Sequence, residues 1–261
     1  MDRRQLIAGL GASALAGLSA RAANPVKNTY LEIQTWHFHN TPENQAARTS
    51  QFLQSGLIPA LSRAEAQFIG AFSNVIGQDG PYYVTITQYA SLGAMQDTLQ
   101  KLAADDAYQS AVRDWSNGPG LPFVRMESSI LRCFDVMPQA TVTPDTQNRG
   151  HRIFELRTYE SQSFATLARK VEMFNQGEAG IFERLGMKPV FFGQTIIGPK
   201  QPNLMYMLSY DSLADREKLW REFGSDPEWK KLSAQPQLAD KEIVANISNV
   251  ILSPLPFSAV R

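Results

Sequence analysis

One cysteine and three histidines are all that 261 residues offer to redox or soft-metal chemistry. Cys133 has no partner in its own chain, which excludes an intrachain disulfide framework. It stands in a strand-like run beside Ile130, Leu131 and Phe134, where a lone cysteine behaves as a small hydrophobe rather than a nucleophile. Charge of one sign is lacking too: 25 Lys and Arg balance 25 Asp and Glu. That balance leaves no surface field to draw in nucleic acid, which is not an expected partner, or an anionic membrane. There is no phosphate-binding G-x-x-x-x-G-K-S/T loop, no G-x-G-x-x-G, no G-x-S-x-G elbow and no H-E-x-x-H helix. The apolar run Leu6 to Ala20 is too short for a stable transmembrane anchor. With 43% apolar and 19% charged residues, the remainder is an ordinary globular composition.

What the chain does have is one pattern written twice, about 120 residues apart. Leu31-Glu32-Ile33-Gln34-Thr35-Trp36 returns as Phe154-Glu155-Leu156-Arg157-Thr158-Tyr159, and Tyr89-Ala90-Ser91-Leu92 as Tyr210-Asp211-Ser212-Leu213. Asp105-Asp106-Ala107-Tyr108 returns as Asp226-Pro227-Glu228-Trp229, and Ile130-Leu131 as Ile251-Leu252. Four matches in one order at this spacing mean two copies of a small fold, because solenoid repeats are only about 20 to 50 residues long.

Each copy reads as strand, helix, strand, strand, helix, strand. In the first, Tyr30 to Phe38 alternates with period two, and Glu43 to Ala66 is helical with Pro42 near its start. Phe68 to Ile76 and Tyr82 to Tyr89 flank the turn Gly77-Gln78-Asp79-Gly80-Pro81 as a hairpin. Leu92 to Trp115 is the second helix and Val124 to Val136 the last strand. In the second copy, Phe154 to Tyr159 is a strand and Phe164 to Leu185 a helix stopped by Gly186. Pro189 to Ile197 and Asn203 to Tyr210 flank the turn Gly198 to Pro202, and Glu242 to Ser253 is the final strand. Ser212 is placed to cap the helix from Leu213, and Asp226-Pro227 to cap another. Pro138 to Gly150, between the copies, has little to bury.

A βαββαβ unit is a ferredoxin-like layer with helices on one sheet face only. The bare faces of two such units in one chain can cover each other, which avoids a large exposed apolar patch. The expected fold is therefore α+β, two tandem ferredoxin-like repeats whose sheets curl into one barrel with helices outside. The expected organisation is a leader over 1–22, repeats over 23–137 and 153–261, and a linker over 138–152. In the leader, Arg3-Arg4 precedes Leu6 to Ala20, and Ala20-Arg21-Ala22 supplies the small residues a signal peptidase reads. This is a twin-arginine export signal, so the expected location is the periplasm or the exterior, with no stable membrane insertion after cleavage. Its removal leaves 22 basic and 24 acidic residues.

The second copy resembles a NIPSNAP domain. The resemblance rests on Phe154 to Tyr159, on Phe191-Phe192-Gly193, on Tyr210-Asp211-Ser212-Leu213-Ala214-Asp215-Arg216, and on Trp220 followed by Ser225-Asp226-Pro227-Glu228-Trp229. The first copy is a looser match, with Gln34, Asp106 and Tyr108 where the second has Arg157, Pro227 and Trp229. The resemblance implies the dimeric α/β barrel superfamily, which includes cofactor-free monooxygenases and haem-degrading proteins. It carries over no catalytic residues.

Strand alternation puts Glu32, Gln34 and Trp36 on one face, and Glu155, Arg157 and Tyr159 on the matching face of the other copy. The opposite face, Ile33 and Thr35 or Phe154, Leu156 and Thr158, suits packing under helices, so the polar set is expected inside the barrel. There it could bind a planar or anionic molecule, with Arg157 as a carboxylate fork and Trp36 and Tyr159 as walls. Alternatively, Glu155 and Arg157 simply pair with each other. His37 and His39 share one side of a strand and could share a metal, but no third ligand is spaced to complete the site, His151 being distant, and a satisfied pair is the plainer reading. The expectation is an exported protein that holds a small organic ligand in its barrel, needs no cofactor and forms a homo-oligomer. The alternatives are a cofactor-independent monooxygenase or isomerase working through Glu155, Arg157 and Tyr159, and a protein-protein interaction module.

Overall fold

Alternating and β-branched runs become eight strands: β1 (Tyr30–His37), β2 (Gln67–Ile76), β3 (Tyr82–Tyr89), β4 (Arg125–Cys133), β5 (Ile153–Glu160), β6 (Lys188–Ile197), β7 (Asn203–Tyr210) and β8 (Asn246–Pro254). The structure is a computed structural model that describes residues 27–39, 44–142 and 152–261. The leader over 1–22, Pro42 and Glu43, His151 and most of the linker lie outside the described residues. The strands close into a barrel in the order β1-β3-β2-β8-β5-β7-β6-β4, all neighbours antiparallel. Each repeat keeps the ferredoxin-like order, fourth, first, third, second. The repeats meet along two seams, β2 with β8 and β4 with β6, so closure leaves no free sheet edge. Two tandem units thus form one α+β barrel.

Closing eight strands needs local bending. The register of β2 against β3 shifts between Phe68 and Gly70, and that of β6 against β7 between Pro189 and Phe191. These bulges occupy the same place in both repeats, and the skipped residues, Ile69 and Val190, are buried in the barrel interior.

Outside the first sheet lie α1 (Gln45–Phe52), a π-helical turn (Leu53–Leu57), α2 (Ile58–Arg63), α3 (Leu92–Ala104) and α4 (Asp106–Ser116). Outside the second lie α5 (Phe164–Met173), a π-helical turn (Phe174–Glu178), α6 (Ala179–Arg184), α7 (Leu213–Ser225), α8 (Pro227–Ser233) and the short α9 (Asp240–Ile243). Ser91 and Ser212 cap α3 and α7 at matching positions, and Asp226 caps α8 by accepting from the Glu228 and Trp229 amides. Two expectations need correction. The single helix over Leu92 to Trp115 is two, because Asp105 turns extended (φ −85°, ψ 103°) and its carboxylate accepts from the Tyr108 amide to start α4. The final strand begins at Asn246 rather than Glu242, since Asp240–Ile243 first makes the turn that buries Ile243. No helix among the described residues is long and apolar enough to cross a membrane.

Three apolar clusters form, one inside the barrel and one under the helices of each repeat. The interior cluster contains Leu31, Ile33, Phe154 and Leu156, the face expected to lie under the helices. The assignment of faces is therefore inverted: Glu32, Gln34, Trp36, Glu155, Arg157 and Tyr159 point outward, toward the helices. The interior takes apolar side chains, aliphatic and aromatic, from both repeats, whereas the helices can supply hydrogen-bond partners to long polar ones. Ala140, Val142 and Val260 join the interior cluster at the end where β1 and β5 begin. The Ala140 amide donates to Gln88 Oε1, the Thr141 amide to the Val190 carbonyl, and the Val260 amide to the Ile69 carbonyl. The start of the linker, expected to bury little, thus helps to seal that end. The other end stays open and polar.

Candidate functional site

Glu155 on β5 is fully buried and accepts from six groups. On Oε1 these are Arg157 Nη1 at 2.8 Å, Arg216 Nη2 at 2.6 Å and Asn249 Nδ2 at 2.7 Å. On Oε2 they are Tyr210 OH at 3.3 Å, Arg216 Nε at 3.1 Å and Trp220 Nε1 at 3.0 Å. Burial alone would push this carboxyl up, but the Arg216 hydrogen bonds, the Arg157 charge and the Asn249 amide outweigh it and hold Glu155 below its usual value. The Arg157 guanidinium lies over Trp220, 4.4 Å from its centroid, and over Tyr159 at 5.4 Å, with its Nε buried and unpartnered. Its Nη2 donates to Tyr159 OH (3.2 Å), which also accepts from Tyr206 OH (2.8 Å). Here the sequence's candidate set is assembled, but between β5 and α7.

The first repeat's candidates lie under their own helices. Trp36 donates from Nε1 to Thr85 Oγ1 (3.0 Å) and packs edge-on against Trp115 and Phe123. Glu32 accepts from Gln34 Nε2 (3.0 Å) and Tyr89 OH (2.9 Å), and burial pushes its carboxyl up, those two bonds offsetting only part of the effect. The structure thus gathers the six residues in two separate places. None lines the cavities at the barrel mouth.

That mouth holds a cavity of about 630 Å³, adjoining a deeper one of about 180 Å³. Thr35 and Thr158, inward residues near the ends of β1 and β5, line both, as do Leu156, Glu127 from β4 and Lys200 from the β6–β7 turn. His37, at the end of β1, is its least ordinary member. Its Nδ1 lies 3.4 Å from the Asp79 carbonyl oxygen, an atom that can only accept. Its Nε2, 3.6 Å from Glu127 Oε2, is buried with no hydrogen-bond partner. Tyr82 packs against the ring at 5.5 Å, and burial, then the Asp79 charge, push its hydroxyl up. Asp79 and Lys200 occupy equivalent places in the two hairpin turns, both left-handed (φ 57° and 60°), and put opposite charges on opposite sides of the opening.

His37 and His39 do not form a pair. The strand ends at His37, and His39 is exposed with its amide donating to Gln45 Oε1. Among the described residues no three His, Cys, Asp or Glu side chains gather around a point that could hold a metal. Of the mouth residues, sequence reading singles out only His37. Thr35, Tyr82, Glu127, Thr158 and Lys200 come from five elements, and the one local signal for them is the matched pair of turns carrying Asp79 and Lys200.

The sequence model described as NIPSNAP matches residues 34–138 and again 154–259. No curated protein is significantly similar in sequence. Among solved structures, a candidate monooxygenase from Lactobacillus acidophilus NCFM is 12% identical, with 87% of this chain and 94% of that one covered and a TM-score of 0.56. A candidate monooxygenase from Fusobacterium nucleatum subsp. nucleatum is 10% identical, covering 88% and 93%, with a TM-score of 0.55. A NIPSNAP family protein from Agrobacterium tumefaciens str. C58 is 24% identical over 45% of this chain and 98% of its own, with a TM-score of 0.39. At such identities the first two share a fold and nothing finer.

Proposed function

The chain belongs to the NIPSNAP family, and within that family's barrel we propose that it binds a small organic molecule at the open mouth, presenting a weakly acidic hydroxyl or carbonyl-activated C–H group to His37. The observation that carries this reading is His37, which lines the cavity and whose Nε2 is buried without a hydrogen-bond partner. A buried polar nitrogen left without a partner costs about 1–3 kcal/mol, and a ligand group that bonds to it would remove that cost. The cavity, about 630 Å³, falls within the roughly 300–1,000 Å³ usual for small-molecule sites. Val84, Leu156 and Val250 offer an apolar rest for a ring system, while Thr35, Thr158 and Lys200 can meet its oxygens. Native mass spectrometry of the purified protein should find a bound small molecule. His37→Gln should weaken its binding by about tenfold or more, the value of one good hydrogen bond, with little change in melting temperature. Wild-type occupancy in that variant would refute the site.

A second reading is cofactor-independent oxygenation or isomerisation of the same molecule. Glu127 Oε2, 3.6 Å from Nε2, favours it, because an imidazolium formed by taking a substrate proton would meet a carboxylate at once. Oxygen uptake that requires the bound molecule and disappears in His37→Gln would support oxygenation; unchanged ligand after prolonged aerobic incubation would leave binding alone.

Export belongs to the same proposal and rests on Arg3-Arg4 ahead of Leu6 to Ala20. Wild type should appear in the periplasm shortened after Ala22, whereas the double variant Arg3→Lys, Arg4→Lys stays full-length in the cytoplasm. A full-length cytoplasmic wild type would rule the leader out.

A further inference from the structure

The two repeats carry the same buried carboxylate in the same place but complete it differently. Glu32 and Glu155 each sit on the outer face of the first strand of their repeat, and each accepts from the tyrosine hydroxyl of the next strand in the sheet, Tyr89 at 2.9 Å and Tyr210 at 3.3 Å. There the likeness stops. In the second repeat Arg157, Arg216, Trp220 and Asn249 all donate to Glu155. The matching positions in the first repeat are Gln34, Met95, Leu99 and Ser128. The match is fixed by the Ser91 and Ser212 caps, which start α3 and α7 at the same offset, and by strand register, where Ser128 pairs with Gln34 as Asn249 pairs with Arg157.

Of these four, only Gln34 donates to Glu32. With Tyr89 that fills two of the roughly four acceptor positions of a carboxylate. Among the described residues no cationic side chain pairs with Glu32, whereas Glu155 has two arginines. Glu32 is half-buried, Gln34 likewise, and Leu99, standing where Trp220 covers Glu155, is 51% exposed. The first repeat therefore presents a half-buried carboxylate that lacks the arginines and the tryptophan covering Glu155 in the second.

We propose that the surface around Glu32 is a binding site for a guanidinium or ammonium group on an apolar or aromatic stem, the chemistry that Arg216 and Trp220 supply from within the chain at Glu155. The site is separate from the barrel mouth: Glu32 faces the helices, and neither it nor Gln34, Met95, Leu99 or Ser128 lines the cavity that holds His37. A guanidinium fork suits the two free acceptor positions, and the partly desolvated setting strengthens the bond relative to one in water.

The test uses benzylguanidine and its uncharged isostere benzylurea, titrated into the full mature chain and followed by calorimetry and amide chemical shifts. Benzylguanidine should bind saturably, with the largest shifts in β1 and α3, and benzylurea should bind about tenfold more weakly or not at all, as expected for loss of a charge-assisted hydrogen bond. Glu32→Gln should weaken binding by a similar factor while keeping the fold. Gln34→Arg, which installs an internal cation as in the second repeat, should abolish binding and raise the melting temperature, so loss of binding there cannot be blamed on unfolding. If benzylguanidine competes with concentration-dependent self-association of the wild type, the natural source of the cation is a second copy; if the protein does not self-associate, the source is a free ligand. Non-saturable binding, equal affinity for benzylurea, or undiminished affinity in Glu32→Gln would overturn the site.

Discussion

Glu155→Ala is expected to destabilise the protein by about 3–5 kcal/mol, the range for removing one partner of a buried, hydrogen-bonded charge pair. The cost comes less from the bonds lost than from the groups left behind. Arg157 and Arg216, with side chains only 12% and 17% exposed, would face one another with no carboxylate between them. Trp220 Nε1 and Tyr210 OH would lose their acceptor as well. Urea unfolding should show the loss as a lower midpoint, and the variant should retain mouth ligand at wild-type affinity if it folds, since Glu155 lies on the opposite face of β5 from the cavity. A loss below about 1 kcal/mol, within the range of exposed ion pairs, would mean the network is dispensable. A selective loss of ligand affinity would return Glu155 to the binding site. The pH dependence gives an independent check. Glu155 is held below its usual value in the folded state. Its contribution is therefore fully present above the unfolded carboxyl value of about 4.3 and is lost as pH falls through the lower folded value. Wild-type stability should fall more steeply than that of Glu155→Ala over that acidic window.

The strand order, the hairpins and the caps were legible because their signals are local. Tyr210-Asp211-Ser212-Leu213 encodes a strand end and a helix cap within four residues, and Asp226-Pro227 does the same for α8. Which sheet face points inward was not legible, because both faces of β5 are fit for burial: Phe154 and Leu156 on one, Tyr159 and a saturated Glu155 on the other. Alternation fixes that two faces exist, and only the partners offered by α7 decide which one goes under the helices. The break at Asp105 was legible only through the repeat, where Asp105 matches the capping Asp226: without the proline that follows Asp226, the composition of Leu92 to Trp115 alone stays helical until the aspartate finds the Tyr108 amide. The mouth was least legible of all. His37 and Glu127 are neighbours only because β1 pairs with β4, and they share a cavity with Thr158 and Lys200 only because two seams close the barrel.

The buried pair of Lys170 and Glu178 should behave in the opposite way when both partners are removed together. Lys170 Nζ lies 2.9 Å from Glu178 Oε2, with the side chains 1% and 2% exposed, at either end of the stretch where α5 passes into its π-helical turn. The ammonium is also ringed by Tyr159, Phe174 and Trp229, each centroid 5.3–5.5 Å away, and Asp240 stands at 3.7 Å. Burial opposes both charges. On Lys170 the Glu178 and Asp240 charges outweigh it and raise the ammonium pKa, whereas on Glu178 burial pushes the carboxyl up and the Lys170 charge offsets only part of that. The 2.9 Å contact is read as an ion pair because Lys170 stays protonated. Lys170→Met alone would strand a buried carboxylate and Glu178→Leu alone a buried ammonium, each at a cost of about 3–5 kcal/mol. The double variant should recover most of that loss and fall within about 1 kcal/mol of wild type, because Coulomb attraction in such a site is largely cancelled by desolvation. The first repeat already contains the neutral solution: its equivalent positions are Thr49 and Leu57, both buried around an equivalent π-helical turn. A double-mutant cycle read by urea unfolding would give a coupling energy close to the sum of the two single losses. Additive losses in the double variant would mean instead that Lys170 and Glu178 act independently, each through its own surroundings, such as Asp240 and the aromatic rings around Lys170, rather than through the ion pair.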